Sequence, residues 1–163
     1  ALLKKNHFNF ILKIVGDGEL RNELQKYANE LSVEGYVDFL GPKLNRELPK
    51  FYRKSDVFIG PSLETADGDK EGLGLTFVEA GMSGCLLIGT SVGGISDVII
   101  NGKTGVMVRP KDAQAIAGAV LNAKKNKLGM AKIIAECQRH CHDKFNWEKI
   151  SSRYSDHLSS LLS

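Results

Sequence analysis

Two carboxylates with a glycine-rich turn between them mark the stretch most able to do chemistry. In Asp67-Gly-Asp-Lys-Glu-Gly-Leu-Gly-Leu-Thr-Phe-Val-Glu-Ala80, Gly68, Gly72 and Gly74 make a loop, and Glu71 and Glu79 flank its core. Glycine lets the backbone approach a ligand closely and take up otherwise strained angles. The segment that follows is apolar and helical in character. The first turn of such a helix carries N–H groups without intrahelical partners and the positive end of the dipole, which suits a phosphate. A carboxylate one turn further on repels that phosphate but can hold the neutral hydroxyls of an attached sugar. On these residues alone, a plain strand-to-helix turn with two solvated glutamates explains the stretch equally well, because short glycine motifs recur by chance.

The elements that would position this stretch alternate between strand and helix. Phe8 to Val15 is an apolar, nearly unbroken run ending in Gly16-Asp-Gly18, the pattern of a strand buried on both faces. A helix opened by Asp17 or Gly18 follows over Glu19 to Leu31, with Leu20, Leu24, Tyr27, Ala28 and Leu31 on one face. Val37 to Leu40 is a second strand, stopped by Gly41-Pro42. Asn45 to Lys54 is a short helix with Asn45 as its N-cap and Pro49 as a kink or a later start. Further strands are predicted at Asp56–Gly60, Cys85–Gly89 and Val106–Val108. Helices are predicted at Leu75–Ser83, Ile95–Ile100, Ala113–Lys125, Met130–Cys141 and Trp147–Leu162. This alternation predicts a doubly wound, mostly parallel Rossmann-like α/β sheet. Ligands bind beyond the carboxyl ends of such strands. The glycine turns at Gly16/Gly18, Gly41, Gly72/Gly74 and Gly93/Gly94 all fall there, so they form one binding edge.

Composition narrows the function. The 163 residues suit one ordinary domain, and 42% hydrophobic with 25% charged residues is a globular balance. The net charge of +3 comes without a basic run, which argues against nucleic acid. No apolar run is long enough for a membrane span, and no signal peptide is visible. The odd, sparse cysteines, Cys85, Cys137 and Cys141, indicate a reducing compartment and a cytoplasmic location. In Cys137-Gln-Arg-His-Cys-His142 a metal pair competes with two small apolar cysteines on a half-buried helix. The second is favoured, because no other ligand cluster accompanies the first.

The motifs together resemble the C-terminal half of a retaining glycosyltransferase of GT-B fold, in the group 1 (glycosyltransferase family 4) type. Glu71-Gly-Leu-Gly-Leu-Thr-Phe-Val-Glu79, followed by Ala, fits that family's Glu-x7-Glu signature. Around it, in family order, stand Ile14-Val-Gly-Asp-Gly18, Val37-x-Phe-Leu-Gly41, Ser55-Asp-Val-Phe-Ile-x-Pro-Ser62, Val92-Gly-Gly94, Gly102-x-x-Gly105 and Phe145-Asn-Trp147. The resemblance runs from about Phe10 to Trp147. It implies that residues 1–163 form a nucleotide-sugar donor domain for a UDP- or GDP-linked sugar, with no cofactor. Glu71 would face the donor sugar as the catalytic residue, beside the backbone of Gly72, Leu73 and Gly74. Leu75 and Thr76 would meet the distal phosphate, and Glu79 the ribose hydroxyls. Pro42 and Lys43 would face the base, unless they form a plain turn, and Gly16 would lie by the sugar or diphosphate. The acceptor would be a glycan or lipid-linked sugar of polysaccharide biosynthesis, bound by a further N-terminal half, with peripheral membrane association of the complete enzyme. The family needs no metal, so Asp67-Gly-Asp69 is expected to be a solvated loop.

Two departures stand out. The family usually places Thr-Pro or Lys-Pro after the glycine matching Gly84, where this chain has Cys85-Leu86. The family's donor half also opens with a strand bearing an Arg, with a Lys soon after, and both grip the diphosphate. No match to that strand is found here, and nothing indicates that Lys70 replaces the pair. Five strands are therefore expected in place of six. Either the Phe8–Val15 and Asp56–Gly60 strands pair directly, or the sheet is incomplete and filled by a neighbouring chain. Two other classes compete with a transferase half. One is a non-catalytic nucleotide-binding or regulatory module. The other is a dehydrogenase-type domain, disfavoured because Gly16-Asp-Gly-Glu-Leu-Arg21 lacks the third glycine of that fingerprint.

Overall fold

Strand and helix alternate as the sequence pattern predicts, but the five strands fall into two parallel sheets of unequal burial. The computed structural model describes residues 1–64 and 72–161. They divide into two compact units, 1–48 and 49–163.

The first unit holds α1 (Leu2–Lys5), β1 (Leu12–Val15), α2 (Arg21–Glu30), a 3-10 turn and β2 (Val37–Gly41). β1 and β2 pair in parallel, Leu12 opposite Val37 and Ile14 opposite Phe39, with the register slipping between Ile14 and Val15. The predicted strand is shortened to its last four residues and is not buried on both faces: Ile11 is 61% exposed, and Leu12 and Val15 nearly 40%. A strand is covered only where other elements pack on it, and β1 has one sheet neighbour. The apolar face predicted for α2 forms as a helix, yet Leu20, Leu24, Tyr27 and Leu31 stay exposed and Ala28 alone is buried. The helix begins at Arg21. Asp17 lies outside it, 3.8 Å from the Arg21 guanidinium.

The second unit contains α3 (Leu48–Tyr52, its first residue in the unit before), β3 (Val57–Gly60), α4 (Leu75–Met82), β4 (Leu86–Thr90) and α5 (Ile95–Val98). It continues with β5 (Val106–Val108), α6 (Ala113–Lys125), α7 (Lys127–Phe145) and α8 (Trp147–Leu161). The sheet order is β3-β4-β5, all parallel, with Val57 opposite Leu86 and Ile88 opposite Val106. β4 lies in the middle and all of its residues are buried. Phe77, Val78 and Ala80 of α4, Ile95, Val98 and the following Ile99, and Cys137 and Cys141 of α7 pack with Leu87 into one core. The Phe77 ring occupies the space where Gly60 and Gly89 have no side chain. Direct pairing of β1 with β3, one of the two expected arrangements, does not form, and no sixth strand is present among the described residues.

Three further helix boundaries differ from expectation. The segment at Asn45 is a 3-10 turn, Asn45–Glu47, running into α3. Its N-cap is Leu44 and not Asn45: the Glu47 carboxylate accepts from the Leu44 N–H at 3.1 Å. α7 starts at Lys127 and continues to Phe145, because the Asn126 side chain accepts from the Gly129 N–H at 3.0 Å and caps it earlier than periodicity indicates. α5 stops at Val98, where the chain turns extended at Ile99. The buried Thr104 hydroxyl then donates to the Val98 carbonyl and accepts from the Ile100 N–H, both at 2.8 Å.

Candidate functional site

Helix α4 has one face in the core and one free. Phe77, Val78, Ala80 and Gly81 are buried, whereas Leu75, Thr76 and Glu79 are exposed. The chain enters it through Gly74 at φ 67° and ψ 55°, a left-handed conformation that favours glycine. Its N-cap, Gly74, has no side chain to cap it, and among the described residues no other side-chain cap is present. An N-terminus of this kind offers backbone N–H groups and the positive dipole end to an anion. Glu79 sits one turn from Leu75 and Thr76, on the same side of the helix by its i+3 and i+4 spacing.

The turn is fixed from below by its neighbour. The Gly94 N–H donates to the Gly72 carbonyl at 2.8 Å. A Cβ on Gly94 would run into that same carbonyl oxygen, so the close approach requires glycine there. The buried Thr90 hydroxyl donates to the Ser62 carbonyl at 2.6 Å, tying the end of β4 to the segment leaving β3. The glycine turns after β3 and β4 are thus joined through their backbones, as a shared binding edge requires.

Glu79 has a partner that the sequence does not disclose. The Tyr52 hydroxyl, at the end of α3, donates to Glu79 Oε2 at 3.1 Å. Burial first, and then the bond to Glu79, push the Tyr52 phenol above its ordinary range, so it stays protonated as a donor. Its ring meets Phe58 edge-on at 6.0 Å, and Phe58 meets Phe77 of α4 the same way at 5.0 Å. Cys85, where the family has Thr or Lys, puts its thiol within 3.2 Å of the Tyr52 carbonyl and 3.4 Å of the Ser55 carbonyl. The departure from the family pattern therefore supplies a weak donor to the end of α3. Burial, then the charge of Asp56, pushes this thiol up to about 11.

Gly16, Pro42 and Lys43, also predicted for the site, belong to the first unit. Gly16, at φ 124°, donates its N–H to the Gly41 carbonyl at 3.0 Å, so the turns after β1 and β2 meet within the first unit. Pro42 is exposed beside them, and the Lys43 ammonium turns back onto the Leu40 carbonyl at 2.6 Å. Glu71, with Asp67, Asp69 and Lys70, lies outside the described residues. Cys137 and Cys141 are buried on one face of α7 with their sulfurs 4.0 Å apart, facing the bare Cα of Gly81. His140 is bonded through its ring to the Asp97 carbonyl at 2.9 Å. No group of three or more His, Cys, Asp or Glu among the described residues could hold a metal. No described helix is long and apolar enough to cross a membrane.

Comparison with known proteins decides the family. The profile described as "Glycosyl transferases group 1" matches residues 1–140. The chain belongs to this family. It is 31% identical over 149 residues to a GDP-mannose-dependent alpha-(1-6)-phosphatidylinositol monomannoside mannosyltransferase of Mycolicibacterium smegmatis, covering 91% of this chain and 39% of that protein. The crystal structure of a glycosyltransferase from Rickettsia africae has the same fold over 99% of this chain and 42% of its own, with TM-score 0.86 and 23% identity. Anabaena Alr3699/HepE, crystallised with UDP, matches over 93% of this chain and 41% of its own, with TM-score 0.83 and 22% identity. These likenesses establish the fold of a group 1 glycosyl transferase half. The chain spans 35% to 39% of the length of these curated relatives.

Proposed function

We propose that this chain is the donor-binding half of a retaining glycosyltransferase that takes its sugar from a nucleoside diphosphate. The observation that carries this reading is the exposed start of α4, entered through Gly74 and uncapped by any side chain among the described residues, with the Glu79 carboxylate one turn away. A diphosphate placed at Leu75 and Thr76 is stabilised by backbone N–H groups without a metal. The attached ribose then offers neutral hydroxyls to Glu79, which accepts without repelling phosphate. Gly72, Leu73 and Gly74 line the donor sugar by backbone, beside Glu71. The GDP-mannose dependence of the mycobacterial relative and the UDP crystallised with the Anabaena protein support a UDP- or GDP-linked donor. The acceptor, a glycan or lipid-linked sugar, is bound outside this chain, on the cytoplasmic side of a membrane.

Transfer requires donor and acceptor in one cleft and an anchored leaving diphosphate. The 163-residue chain alone is therefore expected to bind nucleoside diphosphate weakly and to transfer nothing. The longest natural polypeptide carrying it should transfer sugar from labelled UDP- or GDP-sugars with the anomeric configuration kept. Glu71→Ala or Glu79→Ala should cut that rate at least tenfold. Nucleotide binding with no transfer to any glycan or lipid-linked acceptor would make this a binding module and overturn the proposal.

A further inference from the structure

Resting on that reading of Glu79, we propose that Tyr52 is a positioning residue that presets the Glu79 carboxylate for a ribose cis-diol. A free glutamate on a helix surface samples many rotamers, and ordering it on binding costs affinity. Here Oε2 already accepts from the Tyr52 hydroxyl at 3.1 Å. Among the described residues the Glu79 carboxylate has no second hydrogen-bond partner. An ionised carboxylate has about four lone-pair sites, so Oε1 and part of Oε2 stay open to two further donors. Two neighbouring neutral hydroxyls meet that demand. A second anion does not.

The tether is itself held. The Tyr52 ring is braced against Phe58, and Phe58 against Phe77, which is two residues before Glu79 and on the buried face of the same helix. The Cys85 thiol fixes the Tyr52 backbone from β4's side. The hydroxyl is thus placed relative to α4 by packing that exists before any ligand arrives. The phenol, kept protonated by burial and by Glu79, holds its donor role throughout the neutral range.

The test compares ribose with deoxyribose. In the longest natural polypeptide carrying this chain, UDP and GDP are titrated calorimetrically, each beside its 2′-deoxy counterpart, for the wild type, Glu79→Gln and Tyr52→Phe. The wild type should prefer the ribonucleotide, and Glu79→Gln should erase most of that preference. Tyr52→Phe keeps the ring and its packing, so the melting temperature should change little. It should weaken the ribonucleotide about three- to tenfold, the worth of one hydrogen bond, and leave the deoxynucleotide nearly untouched. If Tyr52→Phe keeps the full preference while Glu79→Gln loses it, Tyr52 does not position Glu79, and the donor-site reading stands. If Tyr52→Phe weakens both nucleotides equally, its role is structural only and the proposal fails. If Glu79→Gln also keeps the preference, Glu79 does not read the diol, and the donor-site reading falls together with the Tyr52 assignment.

Discussion

Strands β1 and β4 are both short apolar runs that feed a glycine turn, yet every residue of β4 is buried while Leu12, Lys13 and Val15 of β1 are exposed. Composition accounts for the exposure of Lys13 but not for that of Leu12 and Val15. β4 has β3 on one side, β5 on the other, and side chains of α4, α5 and α7 packed against it. Among the described residues β1 pairs with β2 alone, and α2 leaves Leu20, Leu24 and Tyr27 uncovered. An apolar run states what a strand can bury, and its neighbours decide what it does bury. The candidate site follows the same division. Glu79, Thr76 and the Gly72 turn stand on the buried core of the second unit, where a fixed geometry is supported from beneath.

The contrast can be broken first at the core. In the 163-residue chain, Leu87→Ala should cost roughly 2–5 kcal/mol, measured by urea denaturation, because it leaves a cavity among α4, α5 and α7. Gly94→Ala sharpens the link between core and site. Its methyl group meets the Gly72 carbonyl, so it should cost about 1–3 kcal/mol of stability and also weaken nucleoside diphosphate binding. Leu12→Ala should be the mildest, about 1 kcal/mol or less, since that side chain is 39% exposed already. A Leu12→Ala loss equal to that of Leu87→Ala would mean that β1 and β4 are equally supported, and the contrast would fail.

Much of the fold is legible in the sequence because its signals are local. Asp112, just before α6, caps it by accepting from the Ala115 N–H at 2.8 Å, and Gly84, at φ 93°, follows α4. The glycines of the second unit that meet at the site, Gly72 and Gly94, both stand out by their place after strands. What stays hidden depends on partners far apart in the chain. Tyr52 and Glu79 are 27 residues apart, and nothing in either neighbourhood announces the pair. Cys85 reads as a lost family residue, although its thiol contacts the end of α3. The early start of α7 escapes the pattern because Gly129 interrupts the apolar period, while its cap comes from a single Asn126 side chain. The exposed faces of β1 and α2 cannot be foreseen, since periodicity shows which side is apolar and not whether anything covers it.

The central claim is that the turn from Gly72 into α4, with Glu79, is where a nucleoside diphosphate binds. Amide chemical-shift mapping during titration with UDP and GDP tests it most directly. The account predicts the largest shifts at Leu73 to Phe77, with smaller ones at Tyr52, Glu79 and Gly94, and loss of those shifts in Glu79→Gln. Shifts confined to Asp143, Lys149, Ser152 and Arg153, which line an open cavity of about 400 Å³ on α7 and α8, would contradict it.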